Sequence, residues 1–346
     1  KIKINFFKNL KKFIKFKKKE KFFDRIIFNE NDNTFKYLEE IIKKDRKSTC
    51  LISLKSVKNL SLKNTEYFHF DNEFIISILF LFLKIKILYS STPDLNTSMF
   101  RKSFYNKTKY IYIQHSPVSL SMIYKPDAFI NFDLIQVVNE YQYSDLKDIN
   151  KFYNKKIKAI RSKYLFLNNL RVKPQNEVDQ KIDYLIAPTW NTDFYKLNFH
   201  SHVFEILKKN HKSFIFRPHY MSLRKNEFKI DNLNIDNSLI DLNPNFTFDK
   251  YNNLISDWSG IYLEFLIIKK IKPILLNSKM KIKNFKFRDF TLQPIELDLR
   301  NKLSKQFNFD ELDIFEKQIQ NETISETLNQ TEFSELIISK FFGIKN

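Results

Sequence analysis

Short apolar runs alternate along this chain with longer stretches in which apolar residues recur at helical spacing. Runs at 50–54, 85–90, 110–113 and 134–138 read as buried strands of a first half, and those at 184–187, 213–216, 253–255 and 273–276 as strands of a second. Helical spacing marks 34–44 and 73–83, then 199–209, 261–269, 310–320 and 331–342. Such alternation predicts parallel, doubly wound sheets, an α/β fold. The polar stretch RVKPQNEVDQK at 171–181 contains Pro174 and interrupts the pattern, which predicts two α/β halves. The expected organisation is an amphipathic arm at 1–22, a first domain at 23–175, a second at 176–322, and a closing helix at 323–346 packing back on the first domain.

The arm, KIKINFFKNLKKFIKFKKKEK, sets Ile2, Phe6, Leu10, Phe13 and Ile14 near a helical period with lysines between them. Residues 1–21 carry +9 of the chain's net +20, leaving +11 for the other 325 residues. A basic amphipathic helix suits an anionic membrane surface, each cation near the headgroups contributing about 1 kcal/mol. The plainer reading is a solvated lysine-rich tail, in a chain whose bias toward Lys, Ile, Asn and Phe inflates such patterns. Charge without a recognised motif argues against nucleic-acid binding. The apolar stretch at 74–83 is broken by Ser77 and ends at Lys84, short of the ~20 residues that span a bilayer. Lysines spread throughout the arm are unlike a secretory signal, so a cytoplasmic protein held peripherally at a membrane is expected. At 43% hydrophobic and 16% aromatic, 346 residues supply apolar surface for two cores. One cysteine, Cys50, excludes an internal disulfide, and histidines without zinc-ligand spacing predict no structural metal.

Candidate chemistry gathers where strands should end. In open α/β sheets ligands bind at the carboxyl ends of the strands, so strand-end histidines in two halves suggest a cleft between two domains. His115, in YIYIQHSPVS, can take a proton from an alcohol at neutral pH or simply bond its own loop. In FIFRPHY, Arg217 suits bidentate phosphate contact and His219 can donate to a phosphate oxygen, against a structural role for both. Ser256, Asp257, Ser259 and Gly260 of SDWSG precede a helix, where hydroxyls and backbone N–H groups form either an anion site or ordinary caps. Asp257 would repel a bare phosphate, so it is expected to orient the loop or touch a hydroxyl. Glu264, about one helical turn on, is placed to reach a ribose hydroxyl. Thr189, Trp190 and Asn191 of APTWN can meet the donor's base or the acceptor, Thr189 being placed on the donor side, and Arg101, Ser103 and Ser116 can line the acceptor side, with packing the plainer reading in isolation. No metal constellation or cofactor is expected.

The ordered set of TPDL at 92–95, YIYIQHSPVS, APTW, RPHY and SDWSGIYLEF before KPILL resembles the CDP-glycerol glycerophosphotransferase family, over about residues 85–277. That family includes polymerases and primases of teichoic acids and enzymes of bacterial capsule synthesis. The resemblance implies a GT-B fold, with two Rossmann-like domains facing a central cleft. It matches His115 to the base that activates the acceptor, His219 to the donor-diphosphate contact, and Ser256, Asp257, Ser259 and Gly260 to the donor loop. It implies a CDP-linked donor, a glycan or lipid-linked acceptor, and peripheral attachment at the inner face of the bacterial cytoplasmic membrane. Three departures point to a divergent branch: His115 precedes Ser116 and Pro117 rather than glycine, Tyr220 stands where proline is usual, and SDWSG replaces Thr-Asp-Tyr-Ser-Ser. The expected reaction moves glycerol phosphate, or a similar polyol phosphate, to an acceptor hydroxyl. The alternative is a GT-B glycosyltransferase using a nucleotide-activated sugar.

Overall fold

The computed structural model describes residues 2–29, 38–39, 41–42, 47–54, 64–97, 99–170, 181–229, 233, 235–243, 246–321 and 326–344. They pack as two units, Lys1–His115 with Tyr124–Phe166, and Ser116–Ile123 with Leu167–Asn346. The chain therefore leaves the first unit after His115, returns at Tyr124, and leaves again after Phe166. Residues 171–180 of the expected dividing stretch, and most of the helix expected at 34–44, lie outside the described residues.

The first unit carries a seven-stranded parallel sheet. Its strands are β1 (Arg25–Asn29), β2 (Thr49–Ser53), β3 (Thr65–His69), β4 (Ile87–Ser90), β5 (Lys109–Tyr112), β6 (Leu134–Val137) and β7 (Lys158–Arg161). The order is β3-β2-β1-β4-β5-β6-β7, so the direction of winding switches between β1 and β4. Central β1 and β2 are buried along their whole length, as apolar parallel strands require. Edge strands β3 and β7, TEYFH and KAIR, are only partly buried and carry no apolar run, which hides them in the sequence. Helix Glu73–Leu81 begins where the Asn72 side chain accepts from the Ile75 N–H, and it buries Ile75, Ile76, Leu79 and Phe80. Helix Glu140–Phe152 is capped in the same way by Asn139, but buries Gln142, Asp145 and Asp148 alongside Tyr141, Leu146 and Ile149.

The basic segment forms one helix, Ile2–Lys19, docked on this unit. Its buried stripe runs through Asn9 and Phe16 to Glu20 in the following turn. The Asp71 N–H donates to Asn9 Oδ1 at 2.9 Å, and Phe16 packs edge-on against Phe68 at 5.4 Å. Lys19 pairs with Glu66 at 2.8 Å, Lys17 bonds Glu20 and the Phe82 carbonyl, and Lys12 donates to the His69 carbonyl. Phe7, Leu10 and Ile14, at helical spacing, remain exposed among lysines 8, 11, 15 and 18. Among the described residues, no helix is long and apolar enough to cross a membrane.

The second unit carries a five-stranded parallel sheet: β8 (Ile182–Ile186), β9 (Phe214–Phe216), β10 (Tyr251–Ser256), β11 (Ile274–Leu276) and β12 (Lys305–Phe307). The order β12-β11-β10-β8-β9 puts its switch between β10 and β8. Helix Phe199–Lys209 covers the sheet through Phe199, Val203, Phe204 and Leu207. Helix Ile261–Lys269 is buried nearly all round, which its apolar sequence dictates, and ends at Lys270 in the left-handed region. The closing segment, with helix Gln330–Phe333, lies in this unit: the Leu328 N–H donates to the Lys270 carbonyl at 2.7 Å, and the Lys270 ammonium sits 4.4 Å from the Phe333 ring.

Candidate functional site

All five strands of the second sheet run in parallel, so the loops after β8, β9, β10 and β11 leave from one edge. The loops flanking the switch are APTWN and SDWSG, which are cross-linked. The Thr189 N–H donates to Asp257 Oδ1 at 2.7 Å, and Ser256 Oγ donates to the Ala187 carbonyl at 2.7 Å. Asp257 is fully buried. Burial raises its pKa, while the Thr189 amide and the charges of Arg300 and Lys281 pull it down. Ser256 and Asp257 thus shape the loop from beneath.

Arg300 reinforces that loop from the core. It is 1% exposed, and its Nη1 donates to the Asp257 carbonyl at 2.7 Å and its Nη2 to the Leu276 carbonyl at 2.8 Å. Its guanidinium stacks 4.2 Å from the Trp258 ring, and burial lowers its pKa to about 10. One buried cation therefore ties together the ends of β10 and β11.

On this edge stands Trp190, half-buried, with three lysine ammoniums around its ring. Lys225 and Lys281 lie 4.4 Å from the centroid and Lys283 lies 5.1 Å away. The His219 ring is 6.5 Å from the same tryptophan. Lys281 Nζ also donates to Thr189 Oγ1 at 3.3 Å. Burial, then the charge of Lys283, brings the Lys281 pKa down to about 7 against the attraction of Asp257 and Glu227. Glu227 in turn accepts the Asn191 N–H, which bends the loop after Trp190 with Asn191 at φ 59°. The Met221 N–H donates to His219 Nδ1 at 3.1 Å, so the neutral ring carries its proton on Nε2 and presents a donor.

Arg217 takes another direction. Its Nη1 meets Asp241 at 3.2 Å and the Asn243 carbonyl at 2.9 Å, and its guanidinium lies 4.4 Å from the Phe246 ring. Glu264 is buried on the first turn of helix Ile261–Lys269, and the Ser259 carbonyl accepts from the Tyr262 N–H at 3.4 Å.

Segment 116–123 lies on the same unit. A methyl group at Gly260 would stand 2.2 Å from Ser116 Oγ and 2.9 Å from Val118 Cγ1, so a side-chain-free residue is what lets the segment rest on SDWSG. Glu296 Oε1 accepts from both the N–H and the hydroxyl of Ser119 at 3.1 Å. The N–H groups of Lys283 and Asn284 donate to the Met122 carbonyl at 3.0 and 3.2 Å. Ser116 is thereby brought together with Gly260.

His115, one residue earlier, belongs to the first unit. Its Nδ1 is 2.8 Å from the Tyr112 hydroxyl and its Nε2 is 3.3 Å from that of Tyr124. The shorter contact, to Tyr112, orients the ring. Ser103 is buried in this unit, donating to the Leu83 carbonyl at 2.6 Å, with its N–H on Tyr110 Oη. Arg101 is half-buried two residues earlier.

Lys225, Lys281 and Lys283 escaped the sequence reading, as did the tyrosines around His115. The usable signal was KMKIK at 279–283, lysines alternating in an extended stretch after a core strand. Among the described residues, no group of three or more His, Cys, Asp or Glu side chains is arranged to hold a metal ion.

Among solved structures, the chain is similar to a histidine-to-alanine variant of the wall teichoic acid polymerase TagF. The TM-score is 0.55 at 14% identity, over 99% of this chain and 93% of that one. The fold is GT-B-like. The chain is also similar, with a TM-score of 0.50 at 9% identity over 91% of this chain and 94% of that one, to a Listeria monocytogenes protein described as a putative UDP-N-acetylglucosamine 2-epimerase. No protein-family model and no curated protein matches the chain.

Proposed function

We propose that this protein transfers glycerol phosphate, or a similar polyol phosphate, from a CDP-activated donor to a hydroxyl of a glycan or lipid-linked acceptor in bacterial cell-surface polymer synthesis. The observation that carries the reading is the group of Lys225, Lys281 and Lys283 around Trp190, with His219 beside it. Three ammoniums converging on one ring repel one another, and a diphosphate set among them would neutralise that repulsion. The loops concerned leave the sheet edge beside its switch point, where open α/β sheets bind ligands. The ordered sequence motifs and the similarity to a teichoic acid polymerase favour a polyol phosphate as the transferred group.

In the proposed reaction His115 Nε2 takes the proton of the acceptor hydroxyl, and Tyr112 keeps the ring oriented through Nδ1. The acceptor oxygen bonds to the phosphorus that bears the polyol, and the bond from that phosphorus to the CMP oxygen breaks. The lysines and His219 Nε2–H balance the charge that builds on the departing CMP. The exposed face of helix Ile2–Lys19 is proposed to lie on an anionic membrane surface carrying the acceptor.

The test is incubation of the full chain with radiolabelled CDP-glycerol and candidate lipid-linked acceptors. CMP release with the label recovered on the acceptor is expected. Release of a nucleoside diphosphate from a nucleotide sugar, or interconversion of UDP-N-acetylglucosamine without transfer, overturns the proposal.

A further inference from the structure

We propose that the carboxyl edge of the first unit's sheet holds a subsite for a neutral polyol end with adjacent hydroxyls, built from Ser91, Thr92 and Gln114. Strands β4 and β5 are neighbours, with Ser90 paired to Tyr112 and the Ile113 N–H donating to the Ser90 carbonyl at 2.8 Å. The residues that follow, Ser91 and Thr92 on one strand and Gln114 on the other, leave the sheet side by side, one strand from the switch between β1 and β4.

Four polar atoms there are buried and have no hydrogen-bond partner among the described residues: Ser91 Oγ, Thr92 Oγ1, and both Oε1 and Nε2 of Gln114. Ser91 and Gln114 are each 1% exposed. Buried polar groups are normally paired, so four unpaired atoms at one strand edge point to a ligand that supplies the partners. The backbone beneath is by contrast well satisfied. The Gln114 N–H donates to Gln136 Oε1 at 3.1 Å, and Gln136 Nε2 donates to Ser162 Oγ at 2.8 Å and the Lys163 carbonyl at 3.2 Å. The support is fixed while the amide above it is unused, the arrangement of a preorganised site.

The chemistry selects the ligand class. Two hydroxyls and a primary amide can each both donate and accept, and the set has no formal charge. It fits vicinal hydroxyls, which also donate and accept, better than a phosphate or carboxylate, which only accept. His115 follows Gln114 directly, so a polyol held here presents a hydroxyl next to the proposed base. The catalytic role of this subsite rests on the transferase reading, whereas its ligand class does not.

The experiment measures saturation-transfer NMR from the full chain to free glycerol, and CMP affinity by calorimetry, for wild type, Gln114→Leu and Thr92→Val. Expected are a glycerol signal in wild type, an at least tenfold loss in both variants, and unchanged CMP affinity. Gln114→Leu should also melt at or above the wild-type temperature, because it replaces an unpaired buried amide by an apolar group of similar size. Wild-type glycerol binding in folded variants, or no glycerol signal from a wild type that binds CMP, overturns the subsite and leaves these groups to ordered water. Glycerol binding that both variants lose, in a protein that ignores CMP, supports the subsite and removes the donor reading.

Discussion

Replacing Gly260 by alanine probes how closely segment 116–118 is pressed onto the SDWSG loop. Gly260 has φ −61°, so alanine meets no backbone strain, and the effect comes from its methyl group alone. That carbon would lie 2.2 Å from Ser116 Oγ and 2.9 Å from Val118 Cγ1. The serine hydroxyl can rotate away, but Val118 is 1% exposed and stiff about χ1, so the segment must lift by some tenths of an ångström. Overpacking of this kind costs about 1–3 kcal/mol, and alanine is also the poorer residue at a helix N-cap. A loss of about 2 kcal/mol is therefore expected as a lowered urea midpoint at unchanged slope. Ser116→Ala removes the 2.2 Å contact, so the double variant should recover about 1 kcal/mol relative to additivity. A variant that unfolds at the wild-type midpoint, or a double variant whose effects simply add, would refute the close packing argued for this segment.

Lys281→Met should weaken CMP binding by about 10- to 100-fold, the loss of one charged hydrogen bond, as read by calorimetry. With Lys281 at about 7, its cation is present below that pH and lost above it, so its contribution to CMP affinity should fall as pH rises from 6 to 9 and be absent from the variant. Burial holds the Glu296 carboxyl above its ordinary 4.5, so the stability this group contributes is full below 4.5 and lost as pH rises through the folded value. Glu296→Gln, which keeps an acceptor for Ser119, should flatten that part of the pH–stability curve, whereas Glu296→Ala should cost about 1–3 kcal/mol by stranding the Ser119 donors. Changing Phe7, Leu10 and Ile14 together to serine should abolish flotation with anionic vesicles while leaving the melting temperature within a few degrees. Phe16→Ala should cost about 3–5 kcal/mol, because that ring is fully buried.

The central strands were legible because parallel strands buried on both faces must be apolar, and 50–54, 110–113 and 134–138 were read within a residue of their observed bounds. Helix Glu140–Phe152 was not, since a buried face containing Gln142, Asp145 and Asp148 has no apolar period to detect. The loops of the candidate site could be placed because each follows a legible strand. Its lysines could not be singled out against 59 basic residues, and nothing local announces that Arg217 will turn to Asp241. For the basic helix, spacing marked Leu10 and Ile14 as part of an apolar face toward a membrane surface, and both are exposed. Its docked face is set instead by the Asn9 amide, which accepts a distant N–H, and by the Phe16 ring, which no apolar period singles out.

The excursion of 116–123 into the second unit bears on how the chain is made. Ser119 and its carboxylate partner Glu296 are separated by 177 residues. At roughly 5–20 residues per second, ribosomal synthesis leaves this segment without its anchor for roughly 10–35 seconds. During that interval Val118, Leu120 and Met122, all nearly inaccessible in the finished protein, are apolar side chains in search of cover. The folding step that closes the second unit is therefore a long-range one, and chaperone dependence should concentrate there.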